Sequence, residues 1–356
     1  TVGSFALSIG VTGFGLAYHA PGCGVIETMP VSADGAFAQP ATLLGDCFSV
    51  DDLALSRVTD GWRVAWIDNS AGTAELQTML IANDLTMSDN AARTRITDNS
   101  LREHAPMFAT IAGVPQLVWI SEDLGSGARE VDRKRFDDSG AVDTLLSMGS
   151  GRKPVSLAFA PMATTNAALA FLDEDGMPGI WIQPLDKNSK PVGDPVLVSD
   201  AITAGNSVDL ATREEDGGAI VYAVDIGGVN KEIRFRRLDK NGAFVDQEVT
   251  LVGSPIQARD ASVARLSGGY VVAYRQLATA TSAKNEIRML FITKEGNVMN
   301  DAQGRLLTYH VADTTADSGS VIARISTDGQ YSVAFVDETS DGNQVRLVRK
   351  RLDCTL

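Results

Sequence analysis

Carboxylate side chains recur at one position of a regular pattern in this chain. Each follows, within a few residues, a short apolar run that ends in an aromatic residue, and the members are Asp68, Asp123, Asp173, Asp225 and Asp337. If equivalent loops gather on one face, these carboxylates form an acidic rim that attracts cations or a basic partner. The alternative is structural, because an aspartate at a strand end also caps the turn that follows.

One of these positions resembles a calcium-binding loop. In the segment Asp173-Glu174-Asp175-Gly176, the side chains of Asp173 and Asp175 are candidate ligands, since calcium prefers oxygen donors. The segment lacks the spaced carboxylates and the terminal glutamate of a well-formed calcium loop. No C-x-x-C or H-x-x-x-H spacing is present, so a metal site of cysteines and histidines is not expected. Calcium is the only cofactor that the sequence suggests.

Catalytic arrangements are hard to find. The three histidines, His19, His104 and His310, fall in unrelated places, and no nucleophile elbow, phosphate loop or dinucleotide fingerprint is present. The aspartate-box turn of sialidases is also absent. The sequence therefore favours a non-catalytic protein. The alternative is a glycan-active one, in which carboxylates from separate segments meet across a central channel and hydrolyse or lyse a glycan.

Basic residues cluster in three later segments, with Arg135, Arg237, Arg349 and Arg351 as the main candidates for a basic flank. Such side chains commonly cover the edges of sheets with their methylene stems and keep a strand soluble. Docking to an acidic surface is the functional alternative.

The three cysteines lie near the ends of the chain. Cys23 and Cys47 are expected on the same end of the fold and are a candidate disulfide pair, with two free thiols as the alternative. Cys354 has no evident partner. The absence of cysteines from the long interior favours an oxidising, extracytoplasmic compartment.

The elements that position these residues form an internal repeat. A short apolar run ending in an aromatic recurs seven times, with 48 to 61 positions between successive aromatics, which are Tyr18, Trp66, Trp119, Phe171, Tyr222, Tyr274 and Phe335. Glycine-containing turns precede the runs, as in Ser267-Gly268-Gly269, so each run is the second strand of a hairpin. We expect these seven aromatics, here called the anchors, to be buried between neighbouring sheets.

Four strands in every ~50 residues is the pattern of one blade of a β-propeller. The sequence thus predicts an all-β, seven-bladed β-propeller with four-stranded antiparallel blades, forming one domain over residues 1–356. The approximate blades are 1–47, 48–100, 101–152, 153–203, 204–256, 257–316 and 317–356.

Residues 216–242 carry the fullest form of the repeat. Asp216-Gly217-Gly218, then Ile220-Val221-Tyr222, then the segment from Arg234 to Gly242 resemble the propeller blade repeats of secreted bacterial surface proteins. Residues 267–296 and 327–353 are similar to the same repeat. The resemblance implies a propeller fold and an exported protein, and it implies no reaction.

The last repeat stops early. Its third strand is expected over residues 345–352, and no fourth strand follows. An uncovered edge exposes hydrogen-bonding groups, so we expect the missing strand either upstream of Thr1 or from another chain.

Composition narrows the function classes. The 356 residues carry a net charge of -14, which disfavours nucleic acid as a partner, and no apolar stretch is long enough for a transmembrane helix. The leading interpretation is an extracytoplasmic binding or scaffold module for another protein, in the periplasm, on the outer membrane or secreted. The alternative is a glycan-binding or glycan-active propeller, for which Trp62 and Trp181 are possible sugar-stacking residues, although both fall in strand patterns that predict packing.

Overall fold

The computed structural model describes residues 5–10, 13–20, 25–32, 38–44, 50–70, 72–87, 92–137, 142–162, 166–174, 178–200, 207–213, 217–227, 231–278, 284–315, 321–325, 330–339 and 342–351. These residues form 27 strands and one short 3-10 turn at Met148–Ser150. No helix among them is long and apolar enough to cross a membrane.

The strands form seven antiparallel sheets, each built from consecutive strands in chain order. We call them blades one to seven. The predicted all-β, seven-bladed propeller with four-stranded blades is confirmed, as is the three-stranded last blade within the described part of the chain. The described residues fall into two compact units, the first holding blades one to three and the second holding blades four to seven.

The first unit contains twelve strands. Blade one is β1 (Phe5–Ile9), β2 (Gly13–Ala20), β3 (Val25–Ser32) and β4 (Ala41–Leu44). Blade two is β5 (Val50–Val58), β6 (Gly61–Asp68), β7 (Glu75–Ile81) and β8 (Thr94–Arg95). Blade three is β9 (Arg102–Ile111), β10 (Val114–Glu122), β11 (Arg129–Arg135) and β12 (Val142–Leu146).

The second unit contains the other fifteen. Blade four is β13 (Pro154–Pro161), β14 (Ala167–Asp173), β15 (Gly179–Leu185) and β16 (Val196–Ser199). Blade five is β17 (Val208–Arg213), β18 (Gly217–Asp225), β19 (Lys231–Leu238) and β20 (Val249–Val252). Blade six is β21 (Ala258–Leu266), β22 (Gly269–Gln276), β23 (Asn285–Thr293) and β24 (Thr308–Thr314). Blade seven is β25 (Val321–Ile325), β26 (Gln330–Thr339) and β27 (Gly342–Arg351).

Six of the seven anchors are buried, as predicted, and Trp62 and Trp181 are also buried packing residues. Tyr18 differs because its side chain is only partly buried. Its hydroxyl donates a hydrogen bond to Glu27 Oε2 at 2.5 Å, as the hydroxyl of the fully buried Tyr222 does to Glu248. The anchors take part in clusters shared by neighbouring blades, such as Trp119 of blade three with Ile67 and Leu76 of blade two. Burial of these faces holds neighbouring blades of the same unit together.

The glycines at the start of the second strands are required by close approach of the third strand. A Cβ on Gly217, whose φ is +94°, would lie 2.2 Å from the carbonyl oxygen of Leu238. The equivalent atom on Gly269 would lie 2.0 Å from the carbonyl oxygen of Ile292. Gly269 does not have a left-handed backbone, so a glycine is required there because it leaves space for the neighbouring strand.

Candidate functional site

Blade two carries a polar pocket beside its anchor, Trp66. The pocket has a volume of about 330 Å³ and is lined by Asp68, Ser70, Glu75, Gln77, Arg93 and Arg95. Antiparallel pairing creates it, because Asp68 at the end of β6 lies opposite Glu75 at the start of β7. Gln77 lies opposite Trp66 and also beside Arg95 of the short strand β8. We call this the blade-two pocket.

The two carboxylates of the pocket are almost fully buried. The side chain of Asp68 is 5% exposed and that of Glu75 is 2% exposed. Asp68 accepts hydrogen bonds from the backbone amide of Ser70 at 2.9 Å and from its hydroxyl at 2.5 Å, and it forms an ion pair with Arg93. Glu75 accepts from Thr97 Oγ1 at 2.7 Å and pairs with Arg95 at 2.9 Å. Charges this far from water persist only when they are compensated in this way.

The two arginines occupy the more open side of the pocket, with side chains 33% and 43% exposed. Arg93 donates to Gln77 Oε1 at 3.3 Å, and Arg95 also pairs with the exposed Asp98 at 2.8 Å. A guanidinium presents several donors in a fixed plane, so one such group can bond a carboxylate and a ligand oxygen together. The pocket therefore combines fixed acceptors at its base with donors at its mouth.

Trp66 has a buried indole N–H that finds no hydrogen-bond partner among the described residues. The equivalent anchor of blade three, Trp119, donates to Ser121 Oγ at 3.1 Å, two positions further along its strand. In blade two that position is Asp68, which is engaged with Ser70 and Arg93. The Arg93 guanidinium carbon lies 5.9 Å from the Trp66 ring centre, so the unsatisfied donor lies close to the pocket. Unsatisfied buried donors are rare and often mark a place for a ligand or water.

Blade three contains a buried polar network, and the backbone amide of its Glu103 donates to the carbonyl of Ala74 in blade two at 3.0 Å. The hydroxyl of Ser121 lies 2.6 Å from Glu103 Oε2 and 2.8 Å from Asp132 Oδ2. A serine hydroxyl has one proton, so it cannot donate to both carboxylates. One carboxyl group must therefore bring a proton of its own.

Glu103 is the carboxyl group whose raised pKa favours holding this proton below about pH 7. Burial raises the pKa of Glu103 to about 7, while hydrogen bonds with Ser121 and Asn99 oppose the rise and the charges of Asp132 and Glu75 add to it. A protonated Glu103 donates to Ser121, which then donates to Asp132 and accepts from Trp119. With this arrangement every polar atom of Ser121 is satisfied.

The predicted acidic-rim residues occupy different environments. Asp68 and Asp173 end their strands as buried residues, and only Asp68 lines the blade-two pocket. Asp123 accepts hydrogen bonds from Ser126 and the backbone of Gly125, which hold the pKa of its carboxyl below the usual value. Asp225 pairs with Lys231 at 2.7 Å and accepts from the amide of Gly227. The side chain of Asp337 lies outside the described residues. The rim as a common cation-attracting surface stays a prediction.

The basic-flank residues that can be placed are engaged within their own unit. Arg135 pairs with Asp137 at 2.7 Å, and Arg237 pairs with Asp246 and donates to the carbonyl of Lys294 at 2.6 Å. The side chains of Arg349 and Arg351 lie outside the described residues. Docking of this flank to an acidic surface also stays a prediction.

Other predicted sites lie partly or wholly outside the residues that the structure describes. Of the calcium candidates, Asp173 is fully buried and Asp175 is not described, so calcium binding stays a prediction. Cys23, Cys47 and Cys354 also lie outside the described residues. His19 and His104 are partly buried, and burial lowers the pKa of each imidazole.

Sequence reasoning identified Asp68 but missed its partners. Counting the hairpin register from the Trp66 anchor would have placed Glu75 opposite Asp68. Arg93 and Arg95 gave no local signal, because β8 has only two residues and no alternating pattern.

No family model matches this sequence, and no curated protein matches it. Solved structures do share its fold. The polysaccharide lyase Uly1 is 12% identical, with 98% of this chain and 90% of that chain covered and a TM-score of 0.57. A protein of unknown function from Dyadobacter fermentans is 11% identical, with 85% and 94% covered and a TM-score of 0.51. A prolyl endopeptidase is 10% identical, with 86% of this chain but 43% of that chain covered and a TM-score of 0.50. At these identities the likeness establishes the propeller fold alone.

Proposed function

We propose that this protein is an extracytoplasmic glycan-recognising β-propeller, and that the blade-two pocket holds a sugar unit. The observation that carries the proposal is the pocket's donor and acceptor set: Asp68 and Glu75 as acceptors, with Arg93 and Arg95 as donors. Sugar hydroxyls both donate and accept, so adjacent hydroxyls of one ring match such a set.

The size of the pocket supports the same proposal. Its volume of about 330 Å³ lies at the lower end of the ~300–1,000 Å³ range of ligand pockets, which suits one small ring. The ion pairs make the lining close to neutral overall, because two carboxylates face two guanidiniums. A hydroxyl-rich neutral ligand thus enters without adding an uncompensated buried charge.

The fold likeness also favours a glycan over a protein scaffold as the main interpretation. The lyase match extends over nearly the whole of both chains, whereas the peptidase match covers less than half of that enzyme. The protein-scaffold interpretation, with a partner at the edge of blade seven, has no comparable support.

Glycan binding is tested with an array of neutral and acidic oligosaccharides, followed by calorimetric titration of the strongest hit. We expect saturable binding that weakens about tenfold or more in Asp68→Asn and Glu75→Gln, because each loses a charge-assisted hydrogen bond of ~1.5–3 kcal/mol. Ser70→Ala is a milder pocket variant for the case in which a buried charge change prevents folding.

The matched control is Glu232→Gln. Glu232 holds the same place in blade five as Glu75 in blade two and also pairs with an arginine, Arg234. It should leave sugar binding unchanged. A sugar that binds all these variants equally would show that the blade-two pocket is not the site, and an array without any saturable ligand would refute glycan recognition. Release of reducing ends from the same sugar would identify an enzyme.

A further inference from the structure

Three metal-ligating side chains meet on the outer half of blade six. Glu286 lies near the start of β23, and His310 and Asp313 lie on β24. One ligand atom of each lies within 4.8 Å of the others. Within the described ranges, no other group of three histidine, cysteine or acidic residues comes this close.

A β-bulge brings the two residues of β24 together. Glu286 lies opposite Asp313 and Arg288 lies opposite His310, with one extra residue, Val311, on the β24 side. In a regular strand, residues three apart point to opposite faces, and one inserted residue reverses that relation. The bulge therefore aims both His310 and Asp313 towards Glu286.

The β-bulge recurs in other blades, but the histidine and aspartate ligands of blade six do not. The same register shift occurs between the third and fourth strands of blades one, three, four and five. At the positions of His310 and Asp313, blade three has Thr144 and Ser147, and blade five has Thr250 and Gly253. These blades form without an imidazole there, so packing of the repeat does not require one in blade six.

We propose that Glu286, His310 and Asp313 form a binding site for a divalent transition-metal ion of the zinc type. One imidazole nitrogen and two carboxylate oxygens are a donor set that Zn²⁺ accepts, with water completing a four-coordinate shell. Calcium and magnesium prefer oxygen donors alone, so the histidine selects against them. The proposal is independent of the glycan site in blade two.

Two cations already lie beside these carboxylates and compete with a metal. Lys284 Nζ lies 3.0 Å from Asp313 Oδ2, and Arg288 Nε lies 2.6 Å from Glu286 Oε2. The Lys284 side chain is 70% exposed, so its withdrawal into water costs little. Arg288 also donates to Thr308 at 3.1 Å and can keep that bond. The metal thus replaces the His310–Asp313 hydrogen bond of 2.9 Å with two coordinate bonds.

The site is tested by titrating the full chain with ZnCl₂ in a calorimeter. His310→Thr, which introduces the residue of blades three and five, should weaken binding about tenfold or more, as should Asp313→Ser. Lys284→Ala should tighten it about two- to fivefold, because it removes an exposed ion pair of ~0.2–1 kcal/mol that competes with the metal. Thr250→Ala in blade five is the control and should change nothing.

Imidazole NMR provides a second readout, because the chain has only three histidines. Zn²⁺ should shift the His310 signals and leave those of His19 and His104 in place. The proposal is overturned if Zn²⁺ does not bind, if it binds His310→Thr with unchanged affinity, or if it perturbs the other two histidines instead.

Discussion

Glu103 shows how a single residue in this protein departs from its usual chemistry. It is 1% exposed, and its carboxyl group contacts the hydroxyl of Ser121. Asp132 contacts the same hydroxyl, which has only one proton to donate. Below about pH 7 the folded protein meets this constraint with a proton on Glu103, whose pKa is raised to about 7 by burial. In the unfolded chain the same carboxyl group loses its proton near pH 4.5.

This difference makes stability depend on pH in a defined direction. Between about pH 4.5 and about pH 7 the folded state binds more protons than the unfolded state, so stability falls as pH rises. The contribution is fully present below the unfolded pKa and is lost by the time the pH passes the folded one. The total is about 3 kcal/mol.

Glu103→Gln is the isosteric test of this prediction. Its amide can donate to Ser121 as the protonated carboxyl does, but it does not titrate. Urea unfolding from pH 5 to pH 8 should give a flatter stability profile for the variant, with the wild type losing about 2–3 kcal/mol relative to it within this range. Parallel profiles would mean that Glu103 does not hold the shared proton.

At the scale of the element, the hairpin between β18 and β19 depends on a glycine for space. Gly217 begins β18 with φ +94°, and a Cβ there would meet the carbonyl oxygen of Leu238 at 2.2 Å. That carbonyl belongs to the neighbouring strand, so it cannot move aside without loss of sheet pairing.

Gly217→Ala should therefore destabilise the protein by about 3 kcal/mol. Gly227 provides a matched control, because its φ is +99° but no atom lies within 4 Å of its Cβ position. Gly227→Ala carries only the conformational cost of about 1 kcal/mol. If denaturant unfolding shows that both variants lose the same free energy of unfolding, the close approach at Gly217 does not contribute to stability.

For the molecule as a whole, stability is built from neighbouring blades in the manner of a repeat protein. In the second unit, Val333 and Phe335 of blade seven share a cluster with Val271 and Phe291 of blade six. Phe335 is fully buried, and this one side chain contributes about 2 kcal/mol. Blade six therefore relies on the last three strands to cover one of its faces.

Truncation after residue 315, which removes all three strands of blade seven, should uncover that face. We expect the shortened chain to bind a hydrophobic dye and to lose part of its cooperative unfolding transition in calorimetry. A chain ending at residue 351 retains all of β27 and serves as the control. A truncated protein that unfolds like the control would show that blade six is stable without blade seven.

Much of this architecture was accessible from the sequence, because strand alternation and turn chemistry are local properties. The anchors and their glycine turns predicted seven sheets, a three-stranded last one and the burial of all seven anchors, of which six are buried. The sheets and the buried anchors follow from a period-two apolar pattern, because one face of each strand must be covered. Tyr18 is the exception, because its side chain is only partly buried.

The sites were decided only by the tertiary structure. Arg93 reaches Asp68 across 25 positions of sequence, and His310 meets Glu286 through a strand pairing and a bulge. Such encounters depend on register and on compensation of buried charge, which are set when sheets form rather than by any short segment. For this reason the periodicity of the sequence predicts the blades, whereas the candidate sites are found only from the pairing of the strands in the tertiary structure.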